Sequence, residues 1–252
     1  MDQVLHVLRD PPLDGPTNMA RDEHLLHSEP LCGGAKLSFV LRIYGWEPPT
    51  ISLGYFQRYA DVARLPEDVR GLAVVRRMTG GGAILHDREV TYALVLDDSV
   101  PAAGQRPVAL YRLAHGCWRD ALADDGLQTE LAPDSFPMAT PHAGPFFCFE
   151  KPGRTDLLID GRKVLGSAQR RIAGRVLQHG SLLLGRRFAS HPGADLGAPP
   201  AERVARWIDQ FVTRLAGALG VPARPTEWTA EQLADVARRR PRFAGDEWTR
   251  RR

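Results

Sequence analysis

The hydrophobic pattern of this chain changes period from segment to segment, and its period-two segments predict strands. Residues 36–44 alternate apolar and polar side chains, which is typical of a half-buried strand. The apolar face of that strand consists of Leu37, Phe39, Leu41 and Ile43. Further strands are predicted over residues 72–75, 90–96 and 176–184.

A hairpin is predicted in the second half of the chain. Two short strand-like runs, residues 155–159 and 162–168, flank the dipeptide Asp160-Gly161. This dipeptide favours a two-residue turn. Closing the turn places Leu158 opposite Lys163 on the neighbouring strand.

Apolar stripes with the helical period predict the remaining elements. The helix candidates are residues 18–26, 110–122, 204–219 and a shorter segment after Thr229. Gly220 supplies a stop for the third helix, and Gln232 completes a capping box with Thr229. Because the strands occur in hairpin-like runs between helices, we predict an α/β fold of the α+β type, with a mixed, largely antiparallel sheet flanked by helices.

The length of 252 residues suits one large domain. We expect a single domain over residues 1–252, with a core at about 15–220 and a helical edge at 203–252. The Pro-rich residues 192–200 are the only linker candidate, and the Arg-rich end is most simply a solvated tail. No apolar run approaches the ~18 residues of a membrane helix, and the first residues lack the features of a signal peptide. We therefore expect a water-soluble, cytoplasmic protein with no membrane partner.

Charge composition narrows the choice of partners. The net charge of +3 is too close to balance to predict a nucleic-acid partner. Arginine is abundant, and the chain contains only three lysines. The presence of lysine instead of arginine at a position therefore slightly favours a function that needs an amine there. Lys163 follows the hairpin turn. Its side chain is either shielded there, beside a carbonyl oxygen or a thiolate, or extends into solvent from the hairpin end.

The three cysteines, Cys32, Cys117 and Cys148, are an odd number without metal-type spacing. This argues against a disulfide framework or a metal site. Cys117 falls in a helix stripe and is expected to pack in the core, and Cys32 is expected to be a loop thiol. Cys148 is either another buried cysteine or a nucleophile whose thiolate is favoured by a cation such as Lys163.

Residues 76–87 form the segment densest in candidate chemistry. The glycines Gly80-Gly81-Gly82 let the backbone approach a ligand closely. Arg76 and Arg77 could neutralise an anion, and His86 with Asp87 adds a polar pair. The alternative is a glycine-rich turn with a structural His–Asp hydrogen bond. The spacing fits neither a dinucleotide fingerprint nor a P-loop.

Together, residues 76–87 and 161–169 resemble the two signature segments of the lipoate-protein ligase and octanoyltransferase family, which is related to the biotin-protein ligases. Supporting matches occur at residues 18–23, 48–57 and 178–181. The resemblance runs from about residue 15 to 185 in the right order. It implies the biotin/lipoate-protein-ligase catalytic fold, and hence a single catalytic domain.

Within this family the chain resembles the LipM-type octanoyltransferases most. Residues 88–93 read Arg-Glu-Val-Thr-Tyr-Ala, similar to the Glu-Leu-Thr-Tyr-Ser of that branch. A Cys-Phe pair is also expected about fifteen residues before the motif lysine, and Cys148-Phe149 precedes Lys163 in this way. Ala93, where serine is common, and the bulky Phe146-Phe147 are modest departures that affect pocket shape more than chemistry.

The resemblance implies that octanoyl moves from acyl carrier protein to a lysine of a lipoyl domain, with no cofactor. Cys148 would hold the octanoyl group as a thioester. Lys163 would favour the Cys148 thiolate, donate a hydrogen bond to the carbonyl oxygen, and could also shuttle the proton lost by the attacking amine. The acceptor would be a lipoyl-domain protein such as the glycine cleavage H protein or a 2-oxoacid dehydrogenase E2, and we expect the enzyme to be a monomer.

By the same resemblance, twelve residues would border the substrate, and the alternative for His179 is a purely structural role. The residues are Arg76, Arg77, Thr79, Gly80, Gly81, Gly82, His86, Gly166, Ser167, Ala168, His179 and Gly180.

Four alternatives remain open from the sequence. An ATP-dependent lipoate-protein ligase is the main rival, and an octanoyl amidotransferase acting between lipoyl domains is another. A non-catalytic relative that only binds lipoyl domains or their acyl groups would not need Cys148 and Lys163. A nucleic-acid binder ranks last, because the sequence lacks clustered basic helices.

Overall fold

The structure, a computed structural model, describes residues 3–27, 39–104, 106–136 and 145–252. The strands are β1 (Leu5–Arg9), β2 (Phe39–Tyr44), β3 (Thr50–Leu53), β4 (Ala73–Arg76), β5 (Ile84–His86), β6 (Glu89–Asp97), β7 (Glu130–Leu131), β8 (Leu157–Ile159), β9 (Arg162–Ile172), β10 (Arg175–Leu183) and β11 (Ala223–Pro225). The helices are α1 (Gly15–His27), α2 (Glu67–Arg70), α3 (Pro101–Gly104), α4 (Pro107–Ala123), α5 (Ala201–Leu219), α6 (Ala230–Ala244) and α7 (Asp246–Thr249).

The strands form two sheets. The large sheet has the order β11-β1-β2-β6-β10-β9-β8-β7, and the small sheet has the order β4-β3-β5. From β2 to β7 every neighbouring pair in the large sheet is antiparallel, whereas β1 pairs in parallel with β2 and β11. The predicted fold class, a mixed and largely antiparallel sheet flanked by helices, is confirmed.

Helices cover both faces of the large sheet, so β2 is fully buried and the prediction of a half-buried strand is wrong. One face packs against α4 and α5, and the other packs against α1 and α6. On β2 the first face carries Phe39, Leu41 and Ile43, and the second carries Val40 and Tyr44. Residues 36–38 of the predicted strand and Cys32 lie outside the described residues.

The four predicted helices are present as α1, α4, α5 and α6. Where a helix end was predicted, it depends on residues that are close in sequence. Gly220 adopts a left-handed φ of 70° where α5 ends. Thr229 Oγ1 accepts from the Gln232 N–H at 3.2 Å, and Gln232 Oε1 accepts from the Thr229 N–H at 2.9 Å. No helix in the described part of the chain is long and apolar enough to cross a membrane.

Two predictions about irregular segments are wrong. Residues 192–200 are not a free linker, because Ala194 is buried and its N–H donates to Lys163 O at 2.8 Å. The Arg-rich end is not wholly a solvated tail. The Arg251 guanidinium lies 4.1 Å from the Tyr55 ring centroid, and Arg252 O accepts from the Tyr59 N–H at 2.8 Å.

Candidate active site

Cys148 and Lys163 come together at the edge of the large sheet. The Lys163 ammonium donates to Cys148 Sγ at 3.1 Å. Lys163 is only 3% exposed, so the alternative of a solvent-facing lysine is wrong. Cys148 opens the short 3-10 helix Cys148–Glu150 and is partly accessible. The pair is thus a thiol beside a shielded positive charge, the environment that favours a nucleophilic thiolate.

Asp156 is a third member of this cluster and was not predicted from the sequence. Its Oδ2 lies 2.8 Å from Lys163 Nζ. Burial by itself lowers the pKa of Lys163, but the attraction of Asp156 and then of Cys148 outweighs it and raises the pKa above its ordinary value. Lys163 therefore stays charged at neutral pH. An acidic residue directly before the apolar strand β8 was the available signal.

A bulge in β9 puts the Lys163 side chain in place. Leu158 pairs with Lys163, as the hairpin predicts, but Leu157 pairs with Leu165. The extra residue, Val164, turns Lys163 to the same face of the sheet as Gly166, since residues three apart otherwise point to opposite faces. A Cβ on Gly166 would lie 2.4 Å from Lys163 Nζ. Gly166 thus makes room for the ammonium group.

The glycine-rich segment and the Cys148 segment form one hydrogen-bonded unit. The Ala83 N–H donates to Phe146 O and the Cys148 N–H donates to Ala83 O, both at 2.8 Å. A Cβ on Gly82 would lie 3.0 Å from Cys148 N. Two segments that are distant in sequence thus fix the position of the thiol together.

The two arginines of the motif have different tasks. Arg77 is buried and donates to Gly80 O at 2.8 Å and Gly82 O at 2.6 Å, which holds the loop that contains Gly81. Burial lowers the pKa of Arg77 to about 10, and the nearby Cys148 opposes this effect. Arg77 therefore remains a second positive charge close to the thiol.

Arg76 does not face the site, contrary to its predicted contact with substrate. Its guanidinium is fully buried and all its donor nitrogens bind main-chain carbonyls. The acceptors include Gly54 O at 2.8 Å and Thr249 O at 2.8 Å. All three nitrogens are thus bound to the main chain, and Arg76 ties the C-terminal helices to the loop after β3.

Ser167 also points away from the Lys163 side chain, because it follows Gly166 on the strand. It belongs to a chain of hydrogen bonds on the α4 side of the sheet. Ser167 Oγ donates to His115 Nε2 at 2.6 Å and accepts from the Tyr92 hydroxyl at 2.7 Å. The His115 Nδ1–H donates to Thr155 O at 2.6 Å. The predicted substrate contact of Ser167 is therefore replaced by a supporting role.

His179 and Thr79 are linked, and His86 has a different acidic partner from the one predicted. The Thr79 hydroxyl donates to His179 Nε2 at 2.6 Å, and the His179 Nδ1–H donates to Asp22 at 3.0 Å. The His86 Nδ1–H donates to Glu89 at 2.7 Å. The expected His86–Asp87 pair is wrong, because Asp87 binds Arg187 instead.

A cavity lies between the two sheets, next to Gly180. Its atom-free space is about 250 Å³, including a part that is open to solvent. It is lined by Met19, Tyr44, Trp46, Ser52, Arg77, Ile84, His86, Thr91, His179, Gly180 and Ser181. Most of the polar side chains in this wall bind one another or nearby groups, such as Ser52 Oγ with His86 Nε2 at 2.7 Å. The cavity therefore suits an apolar chain. Ala168 lies one strand away, paired with His179.

Cys117, the other cysteine in the described part of the chain, has a packing role. Cys117 is buried in α4, and burial raises its pKa to about 11. The prediction that it packs in the core is confirmed. No group of three or more metal-ligating side chains occurs within the described ranges.

Comparison with known proteins gives a consistent set of relatives. A family model described as the lipoyl protein ligase A/B catalytic domain matches residues 14–237. An octanoyltransferase LipM from Kyrpidia tusciae is 34% identical, covering 93% of this chain and 94% of the relative. Another from Staphylococcus aureus is 29% identical, covering 92% of each chain. Among solved structures, a putative lipoate protein ligase from T. acidophilum with bound lipoic acid superposes with a TM-score of 0.74 at 18% identity, covering 100% of both chains. That likeness concerns the fold.

Proposed function

The chain belongs to the lipoyl protein ligase A/B catalytic domain family, and from this premise we propose that it is an octanoyltransferase that works through a Cys148 thioester. The observation that carries the proposal is the 3.1 Å contact between Cys148 Sγ and the Lys163 ammonium, which Asp156 keeps charged. A ligase that activates a free acid with ATP needs no such thiol.

In the first half-reaction the Cys148 thiolate attacks the thioester carbonyl of octanoyl-acyl carrier protein. A new carbon–sulfur bond forms, the bond to the carrier sulfur breaks, and the carrier thiolate leaves and takes up a proton. Lys163 stabilises the attacking thiolate and donates to the oxygen as negative charge develops. Exchange of one thioester for another is nearly isoenergetic, so no nucleotide is required.

In the second half-reaction a lysine amine of the lipoyl domain attacks the Cys148 thioester. The amide bond forms, Cys148 leaves as a thiolate beside Lys163, and the proton lost by the amine passes to solvent on the accessible side of Cys148. Because Asp156 holds Lys163 in its charged form, Lys163 does not accept the proton of the attacking amine. We therefore replace the expected proton shuttle with a fixed positive charge that acts in both half-reactions.

The acyl chain would lie in the cavity between the sheets. Arg77, which donates to the carbonyls of Gly80 and Gly82, lines this cavity together with Gly180 and Ser181. Both proposed partners, octanoyl-acyl carrier protein and a lipoyl-domain protein, would reach Cys148 from the accessible side. A reduced Cys148 also agrees with the cytoplasmic location expected from the sequence.

A basic surface beside the glycine-rich loop supports docking of an acidic carrier. Arg170 and Arg251 lie 5.3 and 4.1 Å from the Tyr55 ring centroid, and Arg252 lies 5.4 Å from that of Phe56. We call these three arginines and two aromatic rings the basic rim. Among the described residues, no carboxylate forms a salt bridge with Arg170, Arg251 or Arg252, so their charge is available to a partner.

The proposal is tested by intact-protein mass spectrometry after the protein is mixed with octanoyl-acyl carrier protein in the absence of ATP. We expect a mass gain of one octanoyl group that hydroxylamine removes and that Cys148→Ala abolishes. Cys117→Ala is the matched control and should still be acylated. If no adduct forms, and activity requires free lipoate and ATP, the protein is a ligase and the proposal is wrong.

A further inference from the structure

One face of β9 leads away from the reactive pair. Gly166, Ala168 and Arg170 lie on the same face of the sheet, because alternate residues of a strand point the same way. A Cβ on Gly166 would lie 2.4 Å from the Lys163 ammonium, which donates to Cys148 Sγ. This stretch of β9 pairs with β10 in unbroken register. We call Gly166, Ala168 and Arg170 the β9 row, which begins beside the thiol and ends at a guanidinium.

The β9 row passes from the interior of the protein to its surface. Residues 163–166 of β9 are buried, whereas residues 167–170 are all partly exposed. Gly166 has no side chain and Ala168 has only a methyl group, so the first two positions of the row leave space above the sheet. This arrangement suits an extended molecule that reaches Cys148 from outside.

The outer end of the β9 row carries a positive charge that the described residues do not neutralise. No carboxylate within the described ranges forms a salt bridge with Arg170, and its buried Nε has no hydrogen-bond partner there. The Arg170 and Arg251 guanidinium groups lie 5.3 and 4.1 Å from the Tyr55 ring centroid. The hydrogen bond from Arg251 lowers the pKa of the Tyr55 hydroxyl, and the charges of Arg251 and Arg170 add to this effect. This end of the row therefore attracts an anion.

The length of the β9 row matches the prosthetic arm of an acyl carrier protein. Arg170 follows Gly166 by four residues, which corresponds to about 13 Å along a strand. The 4′-phosphopantetheine arm spans roughly 15 Å from its sulfur to its phosphorus, at the ~1.2 Å per bond of an extended chain. With the thioester sulfur beside Cys148, the phosphate would lie at Arg170.

We propose that Arg170, with Arg251 beside it, binds the phosphate of the donor's 4′-phosphopantetheine arm while the arm lies along the β9 row. A guanidinium makes strong, charge-assisted hydrogen bonds to phosphate oxygens. This inference rests on the proposed function, because it takes Cys148 to be the group that attacks the donor thioester. Arg170 would hold one end of the arm and so keep the thioester at the correct distance from the thiol.

The test compares S-octanoyl-4′-phosphopantetheine with S-octanoyl-pantetheine, which differ only in the phosphate. Neither contains a carrier protein, so docking of its acidic surface does not contribute. The second-order rate constant for acylation of Cys148 is measured by intact mass. In the wild type it should be about tenfold higher with the phosphorylated donor, as one charge-assisted contact provides. In Arg170→Gln the ratio of the two rate constants should fall to about one.

Arg171→Gln is the matched control. Arg171 is the next residue on β9 and points to the opposite face, where its Nη1 donates to Ala103 O at 2.5 Å. This variant loses the same charge and should keep the wild-type ratio. If it lowers the ratio as much as Arg170→Gln does, the preference reflects overall charge and the inference is overturned.

Two natural donors, octanoyl-acyl carrier protein and octanoyl-coenzyme A, carry the same arm and distinguish the two sources of the phosphate. A lower rate constant in Arg170→Gln with the carrier protein supports its prosthetic arm as the ligand. A loss confined to octanoyl-coenzyme A overturns that assignment.

Failure of this inference is distinguishable from failure of the proposed function. A wild type that none of these donors acylates contradicts the proposed function itself. A wild type that both small donors acylate at equal rates overturns only the phosphate site, whether or not any variant folds. If only the carrier protein reacts, the comparison is made with that donor, and an unchanged rate constant in folded Arg170→Gln overturns the inference.

Discussion

At the scale of single residues, His115 links the core to the reactive groups. It is fully buried, and its Nδ1–H donates a hydrogen bond to Thr155 O. Thr155 adopts a φ of 70°. Residues branched at Cβ rarely adopt this left-handed conformation, so the surrounding structure must impose it. Thr155 directly precedes Asp156, which binds Lys163. His115 therefore helps to fix the backbone that positions Asp156 beside Lys163.

The buried state of His115 predicts a pH dependence of stability. Burial lowers its pKa from 6.5 to about 4. Between these values the unfolded chain binds a proton that the folded chain does not, so the free energy of unfolding falls as the pH drops below 6.5. The protonation of this group alone should make the free energy of unfolding about 2 kcal/mol lower at pH 5 than at pH 7.

Urea unfolding at the two pH values checks this expectation. In His115→Gln the decrease in unfolding free energy from pH 7 to pH 5 should be smaller than in the wild type by about 2 kcal/mol. The other buried histidines are present in both proteins, and their contributions cancel in the comparison. The same decrease in both proteins would show that His115 is not held neutral.

At the scale of elements, the β9 bulge converts an ordinary hairpin into an active-site support. It puts Lys163 and Gly166 on one face, and Gly166 leaves space for the ammonium group. Gly166→Ala should therefore displace the ammonium from Cys148 and slow acylation by about a hundredfold, the effect of a misplacement of about 1 Å. The rate is measured by intact mass with octanoyl-acyl carrier protein.

The control for this variant is Gly116→Ala. Gly116 lies within α4, and a Cβ there meets no atom within 4 Å. Alanine is the better helix former, so the free energy of unfolding should rise by about 1 kcal/mol while the acylation rate is unchanged. Equal rates in Gly166→Ala and the wild type would mean that the position of Lys163 over Gly166 is not needed for the reaction.

The same elements show what sequence alone can predict here. The Asp160-Gly161 turn and the Thr229–Gln232 cap depend on neighbouring residues, and both are found as expected. Strands β1, β3, β5, β7 and β11 were not predicted, because they are short and their pairing depends on distant partners. Arg76 was misassigned for the same reason: its acceptor Thr249 is 173 residues away. The bulge and the Asp156 contact are likewise properties of the assembled sheet.

At the scale of the whole molecule, the basic rim gives the surface beside the site a positive charge. Arg251→Glu combined with Arg252→Glu should raise the KM for octanoyl-acyl carrier protein by about tenfold and weaken its salt dependence. The rate with a small uncharged octanoyl thioester should not change. Steady-state kinetics at two salt concentrations measures both effects.

Arg206→Glu supplies the matched control, since Arg206 lies on α5 with an exposed side chain, away from the basic rim. If it raises the KM as much as the double variant does, docking responds to overall charge and not to the basic rim.

The cavity between the sheets has a consequence for the enzyme as a folded object. Side chains of both sheets and of α1 line it, and part of its space is open to solvent, so an acyl chain that enters it moves from water into the protein interior. An octanoyl group on Cys148 would add buried apolar surface to the protein, so the acylated enzyme would be more stable than the free enzyme. The acyl chain would then act for part of each cycle like an additional buried side chain, and its transfer to a lipoyl domain would remove that contribution to the stability of the enzyme.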